Sequence, residues 1–429
     1  MKNFEGLKNS FCTSRWTEPV IHFGRGEIKT CCRTTPEIID SNTFKTKKES
    51  IFLNSDVEKI SRGQMLQGIR PPSCQECWEL EDKGLKSYRK LGPYENSENE
   101  GDQWLETVSK KSALDSYRPF ALFLFLDNIC DLKCSYCYYG LSTSWQKEDL
   151  ERNVLSTYQQ NDVKVRAPEG FEESFWNWIE PLKTEVHSIK FLGGEPTAIP
   201  KFYDFLDRFI EMYRPLKLSQ KLDFNLVTNL NTKENLFEKF KRSIEIICEK
   251  YDFHIDVSME SIGNRAEYIR NGVSWDRWLK NYRQLLSIKN PNLHISLSPT
   301  INSLCVSSLS TFIELALKEA KLADKSLGIR KNLVTSPKRM SPFMLDRSYL
   351  AYIDDTIEVI SHYEPEDPSW AEYIIFLENL KTGIANETNK ASMRREFVDF
   401  INTTDKHRNT DLLATFPEYE KFWTEINTP

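Results

Sequence analysis

From about residue 117 to 360, apolar runs of strand length alternate with longer segments of helical period. Residues 120–126 read FALFLFL. A continuous apolar run of that length is expected of a strand buried on both faces. Five more strand-like runs follow, at 187–192 (HSIKFL), 222–228 (LDFNLVT), 253–258 (FHIDVS), 293–297 (LHISL) and 329–334 (IRKNLV). Helical sequence separates and follows them, at about 169–183, 200–213, 233–250, 275–288, 307–320 and 347–361. Six βα units in succession predict an α/β fold with a parallel sheet and right-handed crossovers. Six units are too few to close an eight-stranded barrel, so the barrel is expected to be partial.

The flanks differ in character. Residues 1–90 hold five cysteines and the chain breakers Gly24, Gly26, Pro71 and Pro72. They are expected to form a small cysteine-rich domain. Residues 91–116 include the polar stretch GPYENSENEGDQ and read as a linker. Residues 117–360 make the barrel. Residues 361–429, with Trp370, Phe400, Phe416 and Trp423, read as a helical extension. Its tail combines an amphipathic helix with a basic stretch, Lys406, His407 and Arg408. A packing helix is the preferred reading, and a cap on the open side of the barrel the alternative.

Composition narrows the class. Of 429 residues, 39% are hydrophobic and 12% aromatic, enough for a sizeable core. The net charge of −6 argues against a dedicated nucleic-acid binder. No apolar run approaches the roughly 18 residues a membrane span needs. The N-terminus, MKNFEGLKNSFC, lacks an apolar stretch of signal-peptide length. A cytoplasmic, reducing location is therefore expected. There, ten cysteines read as metal ligands or buried thiols in preference to disulfides. Eight of the ten lie before residue 138, which scattered use as small core residues does not explain.

Directly after the first barrel strand comes NICDLKCSYCYYG, with Cys130, Cys134 and Cys137 spaced C-x3-C-x2-C. A [4Fe–4S] cluster ordinarily takes four thiolates. Three from one loop leave one iron open to an amino and a carboxylate group. The place also suits a ligand site, because ligands gather at the C-terminal ends of parallel strands. The plainer alternative is zinc, which usually takes four ligands from two knuckles. At the end of the second strand stands FLGGEP, with Gly193, Gly194, Glu195 and Pro196. Glycines there let backbone approach a ligand. The strand-end carbonyls and the Glu195 carboxylate can hold an ammonium group. Alone, GGEP would read as an ordinary turn.

These two motifs together resemble the radical S-adenosylmethionine (SAM) superfamily, over about residues 117–335. CDLKCSYC is similar to that family's cluster loop, with aromatic Tyr136 before the last cysteine, and GGEP to its SAM amino-group motif. Thr228 and Asn229 end the third strand, where the family often has a similar pair. The segment VSMESIGNRAEYIRNG is similar to the one in which a strand-end serine and a later arginine hold the SAM ribose or carboxylate, here Ser258 and Arg270. The resemblance implies a partial (β/α)6 TIM-like barrel, a SAM-binding [4Fe–4S] cluster and an external electron donor such as flavodoxin or ferredoxin. It also implies reductive cleavage of SAM and hydrogen abstraction from a substrate C–H bond.

Near the N-terminus the spacing is Cys12-x13-Gly26-x4-Cys31, with Cys74-x2-Cys77 following. Four thiolates from two loop pairs suit zinc or an iron–sulfur cluster. The element resembles the auxiliary-cluster domain called SPASM or twitch, although that domain generally follows the barrel. The resemblance implies an auxiliary [4Fe–4S] cluster on Cys12, Cys31, Cys74 and Cys77, with Cys32 as the alternative ligand. Enzymes with such domains often crosslink, oxidise or epimerise peptides and proteins. Others oxidise or cyclise sugars, nucleotides and other small molecules. Cys305 lies past the fifth strand on the catalytic face and could return a hydrogen atom to a substrate radical; a buried core thiol is the preferred reading. Cys248 reads as core. Glu195, Glu260 and Asp346 are unranked acid–base candidates. The non-enzymatic alternative is an iron–sulfur sensor or scaffold, against which GGEP argues.

Overall fold

The structure, a computed structural model, describes residues 9–48, 51–82, 87–90, 119–216, 222–364 and 367–427. The expected linker at 91–116 lies outside the described residues. The chain forms two compact units. The first comprises Met1–Asp127, Gln160–Gly193 and Lys201–Asn225. The second comprises Asn128–Gln159, Gly194–Pro200 and Leu226–Pro429.

The strands in chain order are β1 (Pro19–His22), β2 (Glu27–Thr30), β3 (Glu37–Ile38), β4 (Ala121–Phe125), β5 (Lys133–Cys134), β6 (Ser188–Leu192) and β7 (Asp223–Thr228). Then come β8 (Asp252–Val257), β9 (Arg270–Asn271), β10 (Leu293–Leu297), β11 (Thr300–Ile301), β12 (Gly328–Ile329) and β13 (Asn332–Leu333). In the first unit they run in the order β6-β4-β1-β2-β3. β4 pairs in parallel with β6 on one side and β1 on the other. β1, β2 and β3 are joined antiparallel. In the second unit, which takes β7 from Leu226 onward, the order is β7-β8-β10-β12, with β10 parallel to both β8 and β12. The fold is thus α/β with mainly parallel strands, as the alternation predicts.

Side-chain alternation explains these strands. In β8, Phe253, Ile255 and Val257 are buried, while Asp252, His254 and Asp256 between them are partly exposed. β7 repeats the pattern with Phe224, Leu226 and Thr228 buried. One face of each strand therefore packs under helices and the other keeps polar groups, which a period of two requires. The first unit closes on an aromatic core. The Phe23 ring meets Phe175 and Phe205 at 5.0 and 4.8 Å, edge to face. Trp176 meets Phe205 and Phe209, both at 4.8 Å. Each fully buried phenylalanine contributes about 1.5–3 kcal/mol.

Two elements depart from the sequence pattern. The N-terminal segment does not stop at a cysteine fold: its β1 pairs with β4 across about a hundred residues, Val20 opposite Phe123. The strand expected at 329–334 is split into β12 and β13, with Arg330 and Lys331 between them. Arg330 turns its Nε to the Asp256 carboxylate at 2.8 Å.

The C-terminal region is helical, as expected, through Leu350–Tyr363, Pro368–Asn386, Lys390–Arg408 and Glu420–Asn427. Asp367 caps the second of these, accepting from the Ser369 and Trp370 amides, and Pro368 fills the first helical position. Trp370, Tyr373, Leu377, Leu380 and Ile384 form its buried stripe at helical spacing. Among the described residues no helix is long and apolar enough to cross a membrane.

Candidate active site

The loop bearing Cys130, Cys134 and Cys137 belongs to the second unit and is tied down along its length. β5 pairs antiparallel with β9, placing Cys134 opposite Arg270. The Ser135 amide donates to the Ile269 carbonyl at 2.8 Å, and the Cys137 amide to the Cys134 carbonyl at 2.8 Å. Ser142 caps the helix Thr143–Glu151 by accepting from the Trp145 amide. Its hydroxyl also donates to the Leu132 carbonyl at 2.6 Å. Ser144 Oγ donates to the Cys130 carbonyl at 2.9 Å, and Trp145 Nε1 to the Cys134 carbonyl at 2.8 Å. Backbone carbonyls beside two of the three cysteines are thus occupied by the following helix, which leaves the thiols as the loop's free chemistry.

Burial keeps the three thiols protonated in the absence of a cation. Burial pushes the Cys134 thiol up to about 12, against the pull of Arg270. Burial and the neighbouring Cys134 push Cys130 up as well. Metal binding is what deprotonates such packed thiols. The donor set, three sulfurs on one short rigid loop, fits a [4Fe–4S] cluster with one iron open. Among the described residues no three His, Cys, Asp or Glu side chains meet closely enough to hold a single metal ion. A cubane offers a separate iron to each thiolate, so its ligands need not meet at a point.

GGEP packs on this loop. Gly193 and Gly194 both have left-handed backbone, with φ of 81° and 51°. A Cβ on Gly194 would stand 2.3 Å from the Ile129 carbonyl oxygen, so only glycine fits. The next amide, of Glu195, donates to that same oxygen at 2.7 Å. The Glu195 carboxylate is 1% exposed and faces inward. Its Oε1 accepts from Thr197 Oγ1 at 2.6 Å and Thr228 Oγ1 at 2.7 Å, and its Oε2 from the Asn229 amide at 2.5 Å. Burial still pushes its pKa up, with these donors opposing. Glu195 here braces the turn against the end of β7.

The strand ends bring the remaining candidates together. Asn229 Nδ2 lies 3.9 Å from Cys130 Sγ. The Ser258 amide donates to the Thr228 carbonyl at 2.8 Å. The Arg270 guanidinium is buried against Glu260, with Nη2 to Oε2 at 2.6 Å, and lies 5.6 Å from the Tyr136 ring centre. Asn231 gives no signal in the sequence beyond a run of asparagines, yet it ties three parts together. Its Nδ2 donates to Asp131 Oδ2 at 2.9 Å and the Gly272 carbonyl at 3.3 Å, while its Oδ1 accepts from the Ser274 amide at 3.0 Å.

Cys305 is fully buried. Its thiol donates to the Asn302 carbonyl at 3.3 Å and accepts from the Asn302 amide at 3.2 Å, the geometry of a packed core thiol. Cys248 is likewise buried, at the end of the helix Glu234–Cys248. Asp346 caps a short helical turn by accepting from the Ser348 amide at 2.8 Å.

The end of the helix Lys390–Arg408 reaches the same loop. Arg408 spreads over both oxygens of Glu148, at 3.1–3.2 Å, and lies 4.5 Å from the Trp145 ring centre. Lys133 Nζ completes the cluster on Glu148 at 2.6 Å. Glu148 is 2% exposed. Without Arg408, Glu148 would keep Lys133 at 2.6 Å and Arg152 at 3.6 Å, so the loss is that of charge-assisted hydrogen bonds and not of all compensation. Arg408→Ala should therefore destabilise the second unit by about 1.5–3 kcal/mol, read as a lower urea midpoint. An unchanged midpoint would show that the tail only rests on the surface.

In the first unit, Cys12, Cys31, Cys74 and Cys77 line one pocket with Arg15, Arg33, Tyr88 and Arg89 among its walls. Cys32 is not among the lining residues. Cys31 has φ of 74°, a left-handed turn, and its thiol hydrogen-bonds to that of Cys32 beside it. Cys74 ends the turn Pro72–Cys74, and Cys77 lies on the helix Gln75–Asp82 that follows. Burial pushes the Cys12 thiol up to about 12, with Cys74 adding to the effect.

An α/β fold that sets three thiols and a glycine turn at the C-terminal ends of its strands is the frame of a cofactor-dependent enzyme. Residues 126–303 match the family described as the Radical SAM superfamily. The chain therefore carries a radical SAM domain and is an enzyme. No curated protein sequence matches it. Among solved structures it is similar to SuiB of Streptococcus suis, at 13% identity over 83% of this chain and 71% of that one, with a TM-score of 0.39. SuiB bound to S-adenosylmethionine gives 14% identity over 84% and 77%, with a TM-score of 0.38. SuiB bound to its precursor peptide SuiA gives 14% over 95% and 74%, with a TM-score of 0.35.

Proposed function

We propose that this enzyme cleaves SAM reductively, abstracts a hydrogen atom from a substrate C–H bond, and takes a peptide or protein as that substrate. The carrying observation is the packing of the Gly194 turn on the backbone of Ile129, the residue directly before Cys130. Bound to Cys130, Cys134 and Cys137, a [4Fe–4S] cluster would supply the electron that breaks the S–C5′ bond of SAM and yields a 5′-deoxyadenosyl radical. The chain's own work is placement. The backbone at 193–196 offers polar groups for the amino end of SAM. Asn229, Ser258 and Tyr136 stand on the strand ends and loop around it. Cys12, Cys31, Cys74 and Cys77 would hold a second cluster, whose closed set of four thiolates suits electron transfer. Spacing of the twitch kind, in enzymes that often act on peptides, supports the substrate class. A reduced flavodoxin or ferredoxin is the proposed electron donor.

Anaerobically reconstituted protein should hold about eight irons and eight sulfides per chain, as two [4Fe–4S] clusters require. With a reductant it should convert SAM to 5′-deoxyadenosine and methionine. Stoichiometric zinc with little iron would overturn the reading.

A further inference from the structure

Arg270 is placed for a task besides the SAM contact that the sequence suggests. Its Nε lies 3.1 and 3.0 Å from the two oxygens of Glu260, and its Nη2 lies 2.6 Å from Oε2. That engagement takes up the Nε–Nη2 edge of the guanidinium. The remaining arm, Nη1, lies 3.9 Å from Cys134 Sγ, within reach of a hydrogen bond to sulfur. Glu260 is fully buried and Arg270 is 4% exposed. Tyr136, from the cysteine loop itself, donates its hydroxyl to Glu260 Oε1 at 3.2 Å. The pairing of β5 with β9 holds Cys134 and Arg270 opposite each other, so the contact is fixed by backbone register.

A buried ion pair is a poor device for stability alone, since its desolvation cost offsets much of its attraction. Its position beside a cluster ligand gives it another effect. Hydrogen bonds to the sulfurs, local charge and burial are the levers that set a cluster's potential. An N–H donor and a positive charge favour the more negative, reduced cluster. A carboxylate opposes it. Both act at short range in a site that excludes water, where charges are weakly screened.

We infer that Arg270 and Glu260 form an opposed pair that sets the reduction potential of the cluster on Cys130, Cys134 and Cys137, resting on the reading of that loop as the SAM cluster site. Arg270 is a positioning residue acting through Cys134, and Glu260 tempers its charge.

The test is a potentiometric titration of full-length reconstituted protein, followed by electron paramagnetic resonance on the signal that changes when SAM is added. Arg270→Gln should shift the midpoint to more negative potential. Glu260→Gln should shift it the other way. Arg270→Lys, which keeps the charge, should recover part of the first shift. Opposite shifts at unchanged iron content are what a purely structural pair cannot give. Midpoints that stay put, or move together, would overturn the inference. Should Arg270→Gln fail to fold, Tyr136→Phe serves in its place: without the hydroxyl that shares the Glu260 charge, the midpoint should fall, and an unmoved midpoint would count against the inference. Failure of the underlying reading shows separately, as no loss of iron when Cys130, Cys134 and Cys137 are all replaced, and takes the inference with it.

Discussion

Replacing Cys130, Cys134 and Cys137 together by alanine should abolish SAM cleavage, the largest effect expected of any change in this protein. The three thiols are the whole donor set of a loop whose neighbouring backbone is already occupied. Ser144 takes the Cys130 carbonyl and Trp145 takes that of Cys134. A cluster deprived of three ligands cannot stay bound, and the electron for SAM then has no route. About four irons of the expected eight should be lost, with the remainder on the N-terminal cysteines. The measurements are iron content and 5′-deoxyadenosine formed under reduction. Cleavage at the parent rate in the triple variant would refute the assignment. Circular dichroism should stay close to the parent, because β5 and the cap at Ser142 hold the loop without metal.

What the sequence could reveal followed the range of each interaction. The strand expected at 293–297 is found as Leu293–Leu297, because alternation over five residues is a local signal. The glycines of GGEP announce a close approach, and Gly194 makes one. Pairing at long range left no such mark. The four residues of β1 look like any short apolar stretch, and their partner β4 lies about a hundred residues on. The role of Glu195 depends on Thr228 and Asn229, more than thirty residues away. Arg408 stands in a basic stretch that reads only as part of a packing helix. Only the fold brings it to Glu148, 260 positions earlier. Charged residues in particular could not be placed, since a sequence shows their charge but not their partner.

Replacing Cys74 and Cys77 by alanine should separate the two cysteine groups. The variant should lose about four irons, keep uncoupled SAM cleavage and lose turnover of its substrate. Cleavage is expected to survive because every residue assigned to the SAM site apart from Gly193 lies in the second unit, at 128–159, 194–200 or beyond 226. Cys74 and Cys77 belong to the first. Turnover is expected to fail for a different reason. Hydrogen abstraction leaves a substrate radical, and a net oxidation or a crosslink must pass one further electron away from it. Four thiols in one pocket, with Arg15, Arg33 and Arg89 and the carboxylate of Glu76 among its walls, are the proposed seat of the second cluster that would take that electron. Arg15 is itself buried and paired with Glu58 at 3.1 Å. The two assays must be run on one preparation, SAM cleavage without substrate and product formation with it. If the double variant turned over substrate at the parent rate, the N-terminal cysteines would be structural only. Circular dichroism and an unchanged iron signal from the Cys130 loop guard against simple misfolding, because Cys74 also belongs to the buried cluster of Phe11, Trp16, Met65 and Trp78. Cys77→Ser alone, outside that cluster, tests the same point with less disturbance to packing and should likewise stop turnover while leaving SAM cleavage intact.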